Sequence, residues 1–124
     1  MVALKADSIR NRVLIIDDDR MVLESLNMLF AHYGWEVVAV SSCEEALERL
    51  DETDYRLAVV DHLMEGKNGL ELIRDLKSNS SAQVFMLTGC VEPNLRAAAE
   101  KAGVDRFFFK PVQAATMIKA LDEF

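Results

Sequence analysis

Cysteine is scarce in this chain, with two among 124 residues. Cys43 and Cys90 stand at no metal-ligand spacing, and two isolated thiols read as small core residues rather than a disulfide. Long apolar runs are missing as well. Nothing approaches the roughly 18 consecutive apolar residues of a membrane span, and Met1–Arg12 is too polar for a secretory signal. Basic runs are also absent. A net charge of −7 and a pI near 4.8 give a surface that repels nucleic acid, so direct nucleic-acid binding is not expected of this chain. There is no internal repeat, linker or low-complexity tract. What is left is an ordinary soluble composition, 51% hydrophobic and 28% charged, in a length that suits one domain with a proper core. The expected location is cytoplasmic.

What is there starts at Val13-Leu14-Ile15-Ile16-Asp17-Asp18-Asp19. Four aliphatic residues, too few for a helix, read as a strand buried on both faces, with three carboxylates at its C-terminal end. Residues 1–11 form a polar lead-in and 12–124 the domain. Asp19 can cap a helix to about Tyr33, with Val22, Leu26, Leu29 and Tyr33 as one inward stripe. Gly34 stops it, and Trp35–Val40 reads as a second strand. Ser42-Cys43-Glu44-Glu45 has the form of a capping box opening a helix with Ala46, Leu47 and Leu50 inward. Leu57-Ala58-Val59-Val60-Asp61 repeats the first pattern, an apolar run ending in a carboxylate. After a loop from Gly66 to Gly69, Leu72, Ile73 and Leu76 face the core. Val84–Leu87 forms a fourth strand ending in Thr88-Gly89. Pro93 starts a helix that runs to Ala102, with Gly103 as its stop. Asp105–Phe109 is a fifth strand followed by Lys110-Pro111, and a last helix turns Ala114, Met117, Ile118, Leu121 and Phe124 inward. Strict strand–helix alternation with apolar strands predicts an α/β fold, a doubly wound parallel five-stranded sheet in flavodoxin-like order 2-1-3-4-5.

The strand ends carry the chemistry. In such a sheet, ligands bind beyond the carboxyl ends of the strands where the winding reverses, here between strands one and three. Asp17, Asp18 and Asp61 would meet in that crevice, flanked by the Thr88 hydroxyl and the Lys110 ammonium. A solvated loop whose last Asp merely caps a helix is the plainer reading, but it leaves four converging strand ends to chance. Clustered carboxylates without His or Cys suit a hard cation such as Mg²⁺. An Asp61 oxygen could attack a phosphoryl group, as carboxylate nucleophiles do when they form aspartyl phosphate. Lys110 can pair with one phosphoryl oxygen and Thr88 can donate to another.

Taken together, Ile15-Ile16-Asp17-Asp18, Val59-Val60-Asp61, Leu87-Thr88-Gly89 and Phe109-Lys110-Pro111 resemble the receiver domains of two-component response regulators, from Arg12 to Phe124. The resemblance implies that Asp61 is the phosphoacceptor, taking its phosphoryl group from a histidine kinase or a histidine phosphotransfer protein. It implies Mg²⁺ held by Asp18, Asp61 and the backbone carbonyl of Leu63, with Asp17 acting through water. Lys110 would contact the phosphoryl group, and the Lys110–Pro111 peptide would be cis. Thr88 and Phe107 would form the switch: the hydroxyl moves toward the phosphoryl oxygen, Phe107 swings inward, and the face of the fourth helix, fifth strand and fifth helix changes shape for a protein target or an output domain. Leu63 and Cys90 occupy places that tune phosphoryl lifetime, and an apolar Leu63 implies a long-lived group. Glu65 stands where the family often has Pro.

Other residues carry less. Strand alternation turns His62 away from Asp61, so loop packing is expected of it. His32 reads as a surface residue at a favourable helix end. Phe108 is expected in the core, with Phe107 and Phe109 toward the opposite face. Two rivals remain. Asp17-x-Asp19 resembles the nucleophile motif of haloacid-dehalogenase-type phosphatases, but it lacks the usual Gly-Thr and room for a cap. A docking scaffold without phosphorylation is the other. Dimerisation is permitted but not required.

Overall fold

The solid apolar runs of the three inner strands are buried on both sides, and those of the two outer strands only in part. The computed structural model describes residues 11–61, 69–89, 93–110 and 114–122. Chain order is β1 (Arg12–Ile16), α1 (Arg20–His32), β2 (Glu36–Val40), α2 (Cys43–Glu52), β3 (Leu57–Asp61), α3 (Gly69–Asn79), β4 (Gln83–Thr88), α4 (Pro93–Ala102), β5 (Arg106–Phe109) and α5 (Ala114–Asp122). All pairings are parallel and the sheet order is 2-1-3-4-5, as expected from the alternation.

Side-chain alternation divides the core into two layers. Leu14, Ile16, Ala58, Val60, Val84 and Met86 pack with residues of α2, α3 and α4. Val13, Ile15, Leu57, Val59, Phe85 and Leu87 pack with α1 and α5. Phe108 belongs to the second layer and Phe107 to the first, while Phe109 is largely exposed. Trp35 lies just before β2, its ring edge-on to Phe30 at 5.7 Å between centroids.

The helix ends follow their chemistry. Asp19 accepts the Met21 N–H at 2.9 Å and Ser42 accepts the Glu45 N–H at 3.1 Å, each satisfying a donor left free in a first turn. Gly34 and Gly103 take φ of +86° and +116°, which only glycine adopts without strain.

One expectation fails. Leu29 and Tyr33 are 38% and 52% exposed; the buried residues of α1 are Leu26 and Phe30, with Val22 and Leu23 partly covered. Two overlapping stripes share Val22 and Leu26, and the larger Phe30, seated on Trp35, decides the rotation of the helix. Leu29 then falls on the flank, and Tyr33 lies past the last helical residue as the C-cap.

Candidate functional site

Register puts the two key carboxylates at one height. Ile16 is level with Val60, so Asp17 and Asp61 each follow by one residue on adjacent strands at the reversal of winding. Asp61 is level with Leu87, and Thr88 comes next; Thr88 is level with Phe109, and Lys110 comes next. The Lys110 backbone N–H donates to the Thr88 carbonyl at 2.9 Å, carrying the ladder one residue past β5.

The three consecutive aspartates differ sharply. Asp17 is 1% exposed and Asp61 3%, whereas Asp18 and Asp19 face solvent. Asp19 caps α1, and its own N–H donates to Asp17 Oδ1 at 2.9 Å. Lys110 Nζ lies 3.0 Å from Asp61 Oδ1 and 3.4 Å from Asp17 Oδ2, as ion pairs rather than aligned hydrogen bonds. One ammonium therefore serves two buried carboxylates, with a third beside them.

Electrostatics register the imbalance. Burial, opposed by the Asp19 N–H and reinforced by the charge of Asp61, pushes Asp17 up to about 6. Burial alone would lower Lys110, but Asp61 and Asp17 together outweigh it and raise its pKa, so the ammonium stays charged.

The site has the chemistry of a hard-cation site. Asp17, Asp18 and Asp61 each offer an oxygen, all within 4.8 Å of one another. Asp17 Oδ2 and Asp61 Oδ1 are buried without a hydrogen bond among the described residues. An all-oxygen donor set with surplus negative charge suits Mg²⁺ or Ca²⁺ over softer metals. Thr88 is buried at the rim.

The structure thus brings together Asp17, Asp18, Asp61, Thr88 and Lys110 at the carboxyl end of the sheet. Phe107 lies on β5, partly buried against α4. Leu63, Cys90, Pro111, His62, Phe124 and the Glu65–Asn68 loop lie outside the described residues. Sequence reasoning missed Arg96, whose guanidinium carbon stands 5.3 Å from the Phe107 ring centroid. Its only sequence signal is the i, i+4 pairing with Glu100.

A family model described as the response regulator receiver domain matches residues 13–122. The sensory/regulatory protein RpfC of Xanthomonas campestris is 34% identical over 118 residues, 89% of this chain but 16% of that protein. The regulatory protein VanRB of Enterococcus faecalis is 25% identical over 90% of this chain and half of its own length. The chain therefore spans half or less of these relatives. Among solved structures, a CheY-like response regulator receiver domain protein of Methanospirillum hungatei JF-1 superposes with a TM-score of 0.84 at 26% identity, covering 91% of each chain. A response regulator protein of Burkholderia pseudomallei, crystallised with a phosphorylated aspartic acid, calcium ion and citrate, gives 0.85 at 26% identity, covering 90% of this chain and 66% of that one.

Proposed function

The chain belongs to the response regulator receiver domain family of two-component systems, and on that footing we propose that Asp61 is its phosphoacceptor. The observation that carries the assignment is the pairing of a buried Asp61 with Lys110 at 3.0 Å, beside two further carboxylates that one lysine cannot neutralise.

An Asp61 oxygen attacks the phosphorus of a phosphohistidine, the P–N bond breaks, and its electron pair returns to the imidazole nitrogen. The product is an acyl phosphate on Asp61. Lys110 turns its ammonium to one phosphoryl oxygen, and the Thr88 hydroxyl donates to another. Asp18, Asp61 and the Leu63 carbonyl would hold Mg²⁺, with Asp17 acting through water. When bound, that ion would supply positive charge to offset the carboxylates and the incoming phosphoryl oxygens. Asp17 keeps Oδ1 on the Asp19 N–H, which fixes the turn leading into α1.

Phosphorylation then draws Thr88 inward and lets Phe107 follow, altering the α4–β5–α5 face read by a protein target or an output domain. The donor is a histidine kinase or a histidine phosphotransfer protein in the cytoplasm. The chain catalyses no turnover beyond its own phosphorylation and dephosphorylation. No helix among the described residues is long and apolar enough to cross a membrane.

Acetyl phosphate with Mg²⁺ tests the reading by intact mass. One phosphoryl group should add to the wild type, and none to Asp61→Asn or in the presence of a chelator. Modification that survives Asp61→Asn overturns the assignment. The same time course after quenching reads the lifetime, expected to exceed minutes with Leu63 two residues past the acceptor; a half-life of seconds contradicts that expectation.

A further inference from the structure

Arg96 joins the exposed surface of α4 to a partly buried aromatic on β5. Its side chain is 61% exposed on α4, yet its guanidinium lies over Phe107, the aromatic to which the receiver reading gives the moving part. Glu100, one turn on, accepts from Arg96 Nε at 3.3 Å and orients the group. Phe107 itself lines an open groove of about 380 Å³ with Arg96, Glu100, Val104, Asp105 and Arg106, so the ring is not fixed by dense packing on that side. A cation over a ring face is attracted by the ring quadrupole. That attraction exists only while the ring stays against α4.

We propose that Arg96, oriented by Glu100, is a positioning residue that clamps Phe107 in its resting place and so sets how readily the switch responds. The proposal rests on the receiver reading above. An inward Phe107 leaves the guanidinium, so the contact stabilises the resting state alone. By linkage, whatever stabilises the resting state weakens binding of a phosphoryl group or its mimic at Asp61. Arg96 touches none of the reacting atoms. It acts through the ring.

Calorimetric titration with beryllofluoride at saturating Mg²⁺ reads the effect. Arg96→Ala should bind the mimic about two- to fivefold more tightly than the wild type, the range expected of an exposed cation–ring contact. Arg96→Lys, which keeps a cation, should lie closer to the wild type. In the unmodified proteins, the aromatic carbon resonances of Phe107 should move in Arg96→Ala toward their beryllofluoride-bound positions, a shift that a merely structural role for Arg96 would not produce. Equal or weaker binding by Arg96→Ala, with the Phe107 resonances unmoved, overturns the clamp and leaves the phosphoacceptor reading standing. Failure of the wild type to bind the mimic overturns that reading, and the clamp with it.

Discussion

The two ends of the sheet handle charge in opposite ways. At the end where the strands begin, the carboxylates of Glu36 and Asp105 are each matched to a cation of their own, and the buried oxygens without a hydrogen bond among the described residues, on Tyr55 and Gln83, carry no charge. Arg12 reaches Glu36 at 2.6 Å and also donates to the Thr53 hydroxyl and the Asp54 carbonyl. Asp105 accepts from Lys77 at 2.9 Å and from the buried Val84 N–H at 2.7 Å. At the end where the strands finish, Asp17 and Asp61 share one lysine and leave two buried oxygens without hydrogen bonds among the described residues. The first arrangement ties neighbouring strands and helices together. The second leaves the folded chain with a surplus of buried negative charge, a cost that a bound cation can offset.

The sharpest way to break the contrast is to remove the surplus. Asp17 titrates near 6 when folded, against 3.8 unfolded, so between those values the folded chain binds more protons. Stability contributed by this group is complete below about pH 4 and is lost as pH rises through 6. A rise of that size in the folded state corresponds to about 3 kcal/mol. In urea unfolding without divalent metal, Asp17→Asn should therefore match the wild type near pH 4 and exceed it by on the order of 2–3 kcal/mol at pH 7. Asn keeps an oxygen for the Asp19 N–H. Millimolar Mg²⁺ should raise the wild-type midpoint at pH 7 and shrink the gap. A gap independent of pH would mean that Asp17 is not the strained carboxylate.

The opposite end should respond with the opposite sign. Asp105→Ala removes the acceptor of the Val84 N–H, a donor on a fully buried residue, and strands Lys77. Leaving such a donor unpaired costs about 1–3 kcal/mol. Asp105→Asn should recover most of that, because the N–H needs an oxygen more than it needs a charge. Urea midpoints with an unchanged m-value check both. Phosphoryl addition at Asp61 should persist in either variant.

This contrast was only half legible in the sequence. The sheet was, because a strand covered on both faces must read as a solid apolar run, and because Asp19, Ser42, Gly34 and Gly103 mark helix ends by local chemistry. The convergence of Asp17, Asp18, Asp61, Thr88 and Lys110 was, because they stand at the carboxyl ends of β1, β3, β4 and β5. What local pattern could not separate was Asp17 from Asp18. They are identical neighbours, and only the path of the chain out of β1 buries one and exposes the other. Nor could it choose between two apolar stripes on α1, where Phe30 and not Leu29 meets Trp35. The pairs that tie the sheet together lie far apart in the chain: Lys77 is 28 residues from Asp105, and Arg12 is 24 from Glu36. Such contacts depend on strand order and helix rotation, which spacing along one element does not encode. Arg96 over Phe107 belongs to the same class.

The weakest link on the well-paired end should be the Arg12–Glu36 bridge, and its weakness sharpens the comparison. Its distance of 2.6 Å is the shortest of the ion pairs described, but Glu36 is 58% exposed, so water and salt screen the attraction. Arg12 also retains Thr53 and Asp54 when the carboxylate is gone. Glu36→Gln should therefore cost less than about 1 kcal/mol, and less still in roughly 0.5 M salt. A loss as large as that of Asp105→Ala would mean that distance, rather than burial of the partner left behind, governs these pairs. In the expected order, with Asp17→Asn stabilising, Asp105→Ala destabilising and Glu36→Gln nearly silent, the size follows burial and the sign follows whether a surplus charge or a needed acceptor is removed. Asp17 is almost wholly enclosed, the Val84 N–H is enclosed behind a partly covered carboxylate, and Glu36 is open to water.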